Sequence, residues 1–132
     1  MSANNTEARE VCDCFEALFA DKNIIPFDLE LQWLKMAVAQ YSTKLEPLGY
    51  DAETSTFESV LPQQTINVLA QMINVYYQER ETSRVNKRVS IVTKDISIDG
   101  NNGAKTAARA ELEYKKAMLD YMVNDEKPAS YS

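Results

Sequence analysis

The side chains that most often carry out catalysis are scarce in this chain of 132 residues. It contains no histidine, which excludes Ser-His-Asp and Cys-His catalysis because both depend on an imidazole base. Its two cysteines, Cys12 and Cys14, would point about 200° apart on a helix. With one residue between them, they are also too close for a disulfide of ordinary geometry. The sequence therefore predicts two free thiols without a catalytic role.

One segment has part of the spacing of a calcium loop. Asp95, Ser97, Asp99 and Gly100 fit its first, third, fifth and sixth places, but Thr106 stands at the twelfth, where a bidentate glutamate is needed. The three glycines occur in no Gly-Lys-Ser or Gly-Lys-Thr motif, so no phosphate-binding loop is predicted. We expect no catalytic residue, no metal and no cofactor. An enzyme or metal protein that uses surface carboxylates or this turn is an alternative.

The charge of the chain is unevenly distributed. The formal net charge is −6, and residues 1–60 carry eleven acidic and four basic side chains, whereas residues 61–132 carry nine and ten. Five bases, against the single acid Glu81, lie between Arg80 and Lys94. A basic segment in an acidic chain suits self-association or docking on an acidic partner, and the chain is too acidic for a general nucleic-acid binder.

The sequence also predicts the compartment. The N-terminal residues lack the basic region and apolar run of a signal peptide. No apolar stretch approaches the roughly 20 residues that span a bilayer. Together with free thiols, these features predict a soluble protein that is made in a cytosol.

Apolar residues recur at helical spacing in four segments. The first helix presents Val11, Cys14, Phe15 and Leu18, and the last has two apolar sides, which implies packing on two partners. The predicted helices run from about residue 6 to 20, 27 to 46, 62 to 86 and 104 to 124. The apolar stripes comprise Leu31, Leu34, Val38, Tyr41 and Leu45 in the second helix and Ile66, Leu69, Met72 or Ile73, Tyr76 and Tyr77 in the third. In the fourth helix, Ala108, Leu112, Leu119 and Met122 lie near one side, and Ala110, Tyr114, Ala117 and Tyr121 share another.

Turn residues and β propensity predict the structure of the segments between these helices. Residues 50–59 are polar and predict a loop anchored by Phe57 and Val60. Residues 88–98 are β-branched and alternating, which predicts a strand or two short strands, and residues 99–103 predict a turn. The fold class expected is therefore mainly α, a compact bundle of about four helices with a small β strand or hairpin element before the last helix. Residues 1–26 would be an N-terminal helix and linker, 27–124 the bundle core, and 125–132 a flexible C-terminal tail.

The basic segment predicts an interface between subunits. Tyrosine and arginine are the residues that interfaces favour, and a lone strand could pair with a neighbour's edge. The alternative is a solvated helix end whose cations complement the helix dipole. The predicted interface residues are Tyr76, Tyr77, Arg80, Arg84, Lys87, Arg88, Ile96 and Ile98.

Four stretches of the sequence carry a family resemblance. They are Leu31-Gln32-Trp33-Leu34, Leu48-Gly49-Tyr50-Asp51, the run Tyr76-Tyr77-Gln78-Glu79-Arg80-Glu81-Thr82-Ser83-Arg84-Val85-Asn86-Lys87, and Ile96-Ser97-Ile98 with the glycine turn after it. From about Asp28 to Asp125 the chain resembles the head–tail connector (adaptor) proteins of tailed bacteriophages. The N-terminal helix is less typical of that family.

The resemblance implies a non-enzymatic virion protein that is made in the host cytoplasm. It implies a homo-oligomeric ring, typically of twelve copies, beneath the portal protein at the neck, where it extends the DNA channel and gives later neck or tail proteins a platform. DNA would pass without specific binding, no membrane would be involved, and the C-terminal segment, with Pro128 and Tyr131, would bind the portal. The alternative is another neck or tail-completion protein, or a small cytosolic protein-interaction module.

Overall fold

The computed structural model describes residues 5–18, 25–95 and 99–126, with side chains described outside 86–104. Over these residues the elements are α1 (Ala8–Glu16), α2 (Phe27–Lys44), β1 (Tyr50–Asp51), β2 (Thr56–Phe57), α3 (Gln63–Asp95) and α4 (Asp99–Glu126). The prediction of a mainly helical fold with a small β element before the last helix is confirmed. No helix in the described ranges is both long enough and apolar enough to cross a membrane.

Local signals explain where the first three helices begin. The backbone N–H of Glu7, the N-cap of α1, donates to the Glu10 carboxylate at 2.8 Å. The sequence favours Asn5 or Thr6 as this cap, so the helix begins slightly later than expected. Pro26 precedes α2, and the Pro62 carbonyl accepts the first helical hydrogen bond of α3, from Ile66. Proline suits these positions because a helix start leaves its N–H unused.

The strand predicted over residues 88–98 is wrong for residues 88–95, which continue α3 as helix. Lengthening an existing helix adds one hydrogen bond per residue fixed, whereas β-branched residues cost it less than about 1 kcal/mol each. A lone strand would have left its own backbone groups unpaired. The predicted turn at 99–103 is also wrong, because α4 begins at Asp99, an acid that favours a helix N-terminus. Ile96 and Ile98 lie outside the described residues.

The β element lies instead at residues 50–57, which the sequence predicted as a loop. Tyr50 pairs with Phe57 in antiparallel register and their rings lie 4.8 Å apart. Ser55, at φ 55°, adopts the left-handed conformation in the connecting turn. Phe57 anchors the segment as predicted, at 1% exposure, but Val60 is 56% exposed and anchors nothing.

The residues before α1 pair with this hairpin. Thr6 accepts a backbone hydrogen bond from Phe57 at 2.8 Å and donates one to the Ser59 carbonyl at 3.2 Å. Its side-chain oxygen accepts the backbone N–H of Leu61 at 2.8 Å in a buried setting. Thr6 therefore ties the N-terminal segment to the chain entering α3.

Replacing Thr6 by alanine should lower the free energy of unfolding by about 1–3 kcal/mol, because the N–H of Leu61 would be buried without an acceptor. Thr6→Ser keeps the hydroxyl and should lose less than about 1 kcal/mol. Urea unfolding at fixed protein concentration measures both variants. Equal losses for the two would contradict a role for the hydroxyl oxygen.

The core lies where α1, α2 and α3 meet. Phe15 from α1 is fully buried, and its ring makes edge contacts with Trp33 of α2 at 6.4 Å and Tyr77 of α3 at 6.0 Å. The α3 stripe is buried as predicted at its first four positions, whereas Tyr76 and Tyr77 are half-buried. Helix α1 thus contributes directly to the same core as α2 and α3.

Candidate subunit interface

The two predicted interface tyrosines of α3 make contacts within the chain. The hydroxyl of Tyr76 donates to the side-chain oxygen of Gln40 on α2, and burial raises the pKa of Tyr76 to about 12. Tyr77 contacts Trp33 edge-on at 6.3 Å, and the Lys115 ammonium lies 5.4 Å from its ring centroid. Both phenols are half-buried, so only part of each remains accessible to a neighbour.

The predicted basic residues continue along α3 away from the core. Arg80 is half-buried, and Arg84, with 54% of its side chain exposed, lies 3.7 Å from the Glu81 carboxylate. Lys87 and Arg88 follow in the same helix. Because helical residues four, seven and eight positions apart share a side, positions 80, 84, 87 and 88 lie on one side of α3, which we call the basic face. Pro128 and Tyr131, the predicted portal-binding residues, lie outside the described residues.

Helix α4 has an exposed apolar face. Tyr114 is 61% exposed, Met118 38% and Tyr121 70%, and their spacing places them in one row. Leu119 and Val123 lie roughly 130° and 170° around the helix from the middle of that row and are buried against the core. The two apolar sides predicted for this helix are therefore present, and only one of them is covered. We call Tyr114, Met118 and Tyr121 the α4 face.

A groove of about 590 Å³ runs beside the α4 face, between α1, α3 and α4. Its apolar lining includes Leu18, 50% exposed, together with Tyr114 and Met118. Cys14 also lines it and donates a long hydrogen bond, 3.5 Å, to the side-chain oxygen of Asn67. The α4 face and the groove together form a continuous, partly apolar surface.

Polar side chains hold α4 on α3 behind this surface. The Lys115 ammonium donates to the side-chain oxygen of Gln78 at 2.9 Å, and the Gln71 amide donates to the Lys115 carbonyl at 3.0 Å. Burial lowers the pKa of Lys115, although Glu111, 3.9 Å away, opposes that shift. Farther along, the hydroxyl of Thr82 donates to the carbonyl of Ala108. These bonds fix the register of the two helices and hence the position of the α4 face.

Glu30, on α2, is a buried acid that the sequence interpretation missed. It is 1% exposed and lies against Cys12 and Glu16 of α1. A signal was present, because positions 30, 34, 37 and 41 follow the buried stripe of α2 at helical spacing. An acid in the first turn of a helix is ordinarily interpreted as an exposed partner of the helix dipole, so its burial is not expected from the sequence.

Neither thiol is poised for nucleophilic chemistry. Burial, reinforced by Glu30, raises the pKa of Cys12 to about 12, and burial also raises the pKa of Cys14. Nucleophilic attack requires the thiolate, which such environments disfavour. In the part of the chain that the structure describes, no three acidic or cysteine side chains are grouped so that they could hold a metal ion.

Comparison with family models, curated proteins and solved structures finds no match for this chain.

Proposed function

We propose that this chain is a structural virion protein, a head-to-tail connector (adaptor) whose copies form a ring beneath the portal. The ring extends the DNA channel and links the capsid to neck or tail proteins. The resemblance over residues 28–125 supports this family. The observation that carries the assembly itself is the α4 face, three large apolar side chains in a row beside a groove.

The α4 face is typical of a surface that a partner covers. Scattered apolar side chains are common on monomers, but contiguous exposed ones mark interaction sites. Tyrosine is also among the residues that contribute most to interface energies, since it buries a large ring with little loss of side-chain entropy. A neighbouring subunit that covered Tyr114 and Tyr121 would remove both rings from water.

The charge distribution supports head-to-tail contacts between copies. A closed ring needs two different, complementary surfaces on each subunit. The basic face of α3 supplies one, with Arg80 and Arg84 at least partly accessible. We expect the acidic counterpart to lie within residues 1–60, whose formal net charge is −7 from eleven acids and four bases. The overall acidity also suits a channel through which DNA slides without being held by cations.

Reversing two charges of the basic face should weaken ring formation. In Arg84→Glu with Lys87→Glu, like charges would meet across the contact, a juxtaposition that costs several kcal/mol. We expect at least a tenfold loss of ring affinity, while circular dichroism and the melting temperature stay near those of the unsubstituted protein. The ion pair lost with Glu81 is exposed and contributes at most about 1 kcal/mol.

Lys35→Glu with Lys44→Glu is the matched control, because it changes the net charge equally at two exposed positions of α2. Mass photometry across a concentration series counts the assembled copies for each variant. Normal rings from the Arg84/Lys87 variant would contradict the basic face as a contact.

The copy number separates this function from its alternative. A ring of roughly twelve copies, or a complex with the portal, supports the connector. A stable monomer or dimer that associates with no virion component supports a different neck protein or a small interaction module. The portal-binding role of Pro128 and Tyr131 belongs to the same proposal and is tested by portal capture with both residues replaced by alanine.

A further inference from the structure

Glu30 is a carboxyl group enclosed within the protein near the start of α2. It is 1% exposed, and its Oε1 atom has no hydrogen-bond partner. An ionised carboxylate in such a place is strongly disfavoured, since it has lost water without gaining a compensating charge. The neutral acid is the form that this site accommodates.

The groups that face Glu30 come from α1 and add no positive charge. Glu16 and Cys12 face it, and Asp13 adds a further negative charge. A thiol can donate to one carboxyl oxygen, but two facing carboxyl groups need a proton between them. Within the described ranges, no basic side chain lies at ion-pair distance from Glu30.

The other elements around Glu30 do not supply that charge. On α2 itself, Asp28 and Lys35 are exposed. Helix α3 meets α2 through phenols and a hydroxyl, in the contacts of Tyr76 with Gln40 and of Tyr41 with Thr65. Burial keeps the pKa of Tyr76 at about 12, so that phenol stays neutral near pH 7.

Desolvation and, after it, the nearby Glu16 raise the pKa of Glu30 to about 7, against a smaller opposing effect of Cys12. The chain has no histidine, the side chain that ordinarily titrates in this range. No imidazole therefore contributes to the dependence of stability on pH between 5 and 8, and Glu30 is a side chain whose pKa falls in that range.

We propose that Glu30 is a proton-operated lock between α1 and α2. With the proton bound, Glu30 and Glu16 share a hydrogen bond and α1 stays on α2. Without it, an ionised Glu30 is left buried opposite the half-buried Glu16, and α1 loosens. This inference is independent of the proposed function.

The direction of the pH dependence follows from the shift. The folded pKa lies above the ordinary value of 4.5, so the folded state binds more protons than the unfolded state between these two values. Stabilisation is complete below about pH 4.5 and is lost as the pH rises through about 7. From pH 5 to pH 8, we expect the unfolding equilibrium constant to rise roughly 100-fold.

Urea unfolding of the full chain at pH 5, 6, 7 and 8, at one protein concentration, tests the proposal. Glu30→Gln should remove most of the pH dependence, while Glu113→Gln, at an exposed position of α4, should keep it. A free energy of unfolding that does not change with pH in the unsubstituted protein, or the same pH dependence in Glu30→Gln, would overturn the proposal.

The thiol of Cys12 reports on the opening itself, since it is fully buried beside Glu30. With Cys14 replaced by alanine, Cys12 is the one thiol of the chain. At pH 8, Cys12 should react with a maleimide at least tenfold more slowly in the chain that also carries Glu30→Gln. At pH 6, the difference in rate between the two chains should be smaller. Equal rates at pH 8 would overturn the proposal.

If Glu30→Gln does not fold, the unsubstituted chain still decides the matter. A carbon-13 NMR titration of its glutamate carboxyl groups should contain one transition near pH 7. Transitions confined below pH 5.5 would overturn the lock.

Discussion

Replacing Phe15 by alanine is expected to lower the free energy of unfolding by about 3–5 kcal/mol, the usual cost of deleting a fully buried aromatic ring. The ring is fully buried where α1, α2 and α3 meet, in edge contact with Trp33 and Tyr77. Its removal takes away apolar contacts and leaves a cavity that two rigid aromatic neighbours fill poorly. Because domains of this size are stable by only about 5–15 kcal/mol, much of the total would be lost.

Leu18→Ala is the matched control, since Leu18 follows closely in sequence but is 50% exposed. It should cost less than about 1 kcal/mol. Urea unfolding monitored by circular dichroism measures both variants. A loss below 1 kcal/mol for Phe15→Ala would mean that α1 is an appendage whose removal leaves the rest of the bundle intact.

The helical periodicity of the sequence was sufficient to predict most of the core. Val11, Phe15, Leu34 and Leu69 were expected on buried stripes and are buried, because amphipathic packing in a small bundle leaves few other ways to remove these side chains from water. The stripe of α1 fails at its end. This helix stops at Glu16, so Leu18 leaves the row. Within the helix, Cys12 shares the buried side with Val11 and Phe15, whereas Cys14 is half-buried.

Local β propensity predicted the β element in the wrong segment, because propensity does not take the neighbouring helix into account. Residues 88–95 are rich in β-branched side chains, yet α3 continues through them. The hairpin forms where the local preference for strand was weaker, because residues 6–8 lie against it and supply backbone partners. That pairing joins segments about 50 residues apart, which periodicity and propensity do not encode.

The candidate site was only partly predictable for a related reason. The sequence identified Tyr76 and Tyr77 as interface residues from composition, but their hydroxyl and ring contacts depend on Gln40 and Phe15, which come from other helices. The two apolar sides of α4 could be predicted because both follow from a single helix. Which side is left uncovered depends on where α3 packs.

The α4 face is expected to contribute most of the energy of the proposed self-association. Tyr114→Ala with Tyr121→Ala removes two large side chains that are 61% and 70% exposed in the single subunit, so the fold should lose less than about 1 kcal/mol. In an assembly that buries both rings, each truncation should cost about 2 kcal/mol. At 1.4 kcal/mol per tenfold change in affinity, subunits should associate at least about 100-fold more weakly.

Glu113→Ala with Lys116→Ala is the matched control, because it truncates two exposed side chains on the same helix and keeps the net charge. Sedimentation velocity over a concentration series compares the assembly midpoints of the two double variants. Equal midpoints would mean that the α4 face stays in solvent within the assembly. If the Arg84/Lys87 charge reversal still dissociated the proposed assembly, the basic face of α3 would be the principal contact between subunits. The tyrosines of α4 would then be expected to bind a different partner, such as the portal or a later neck protein.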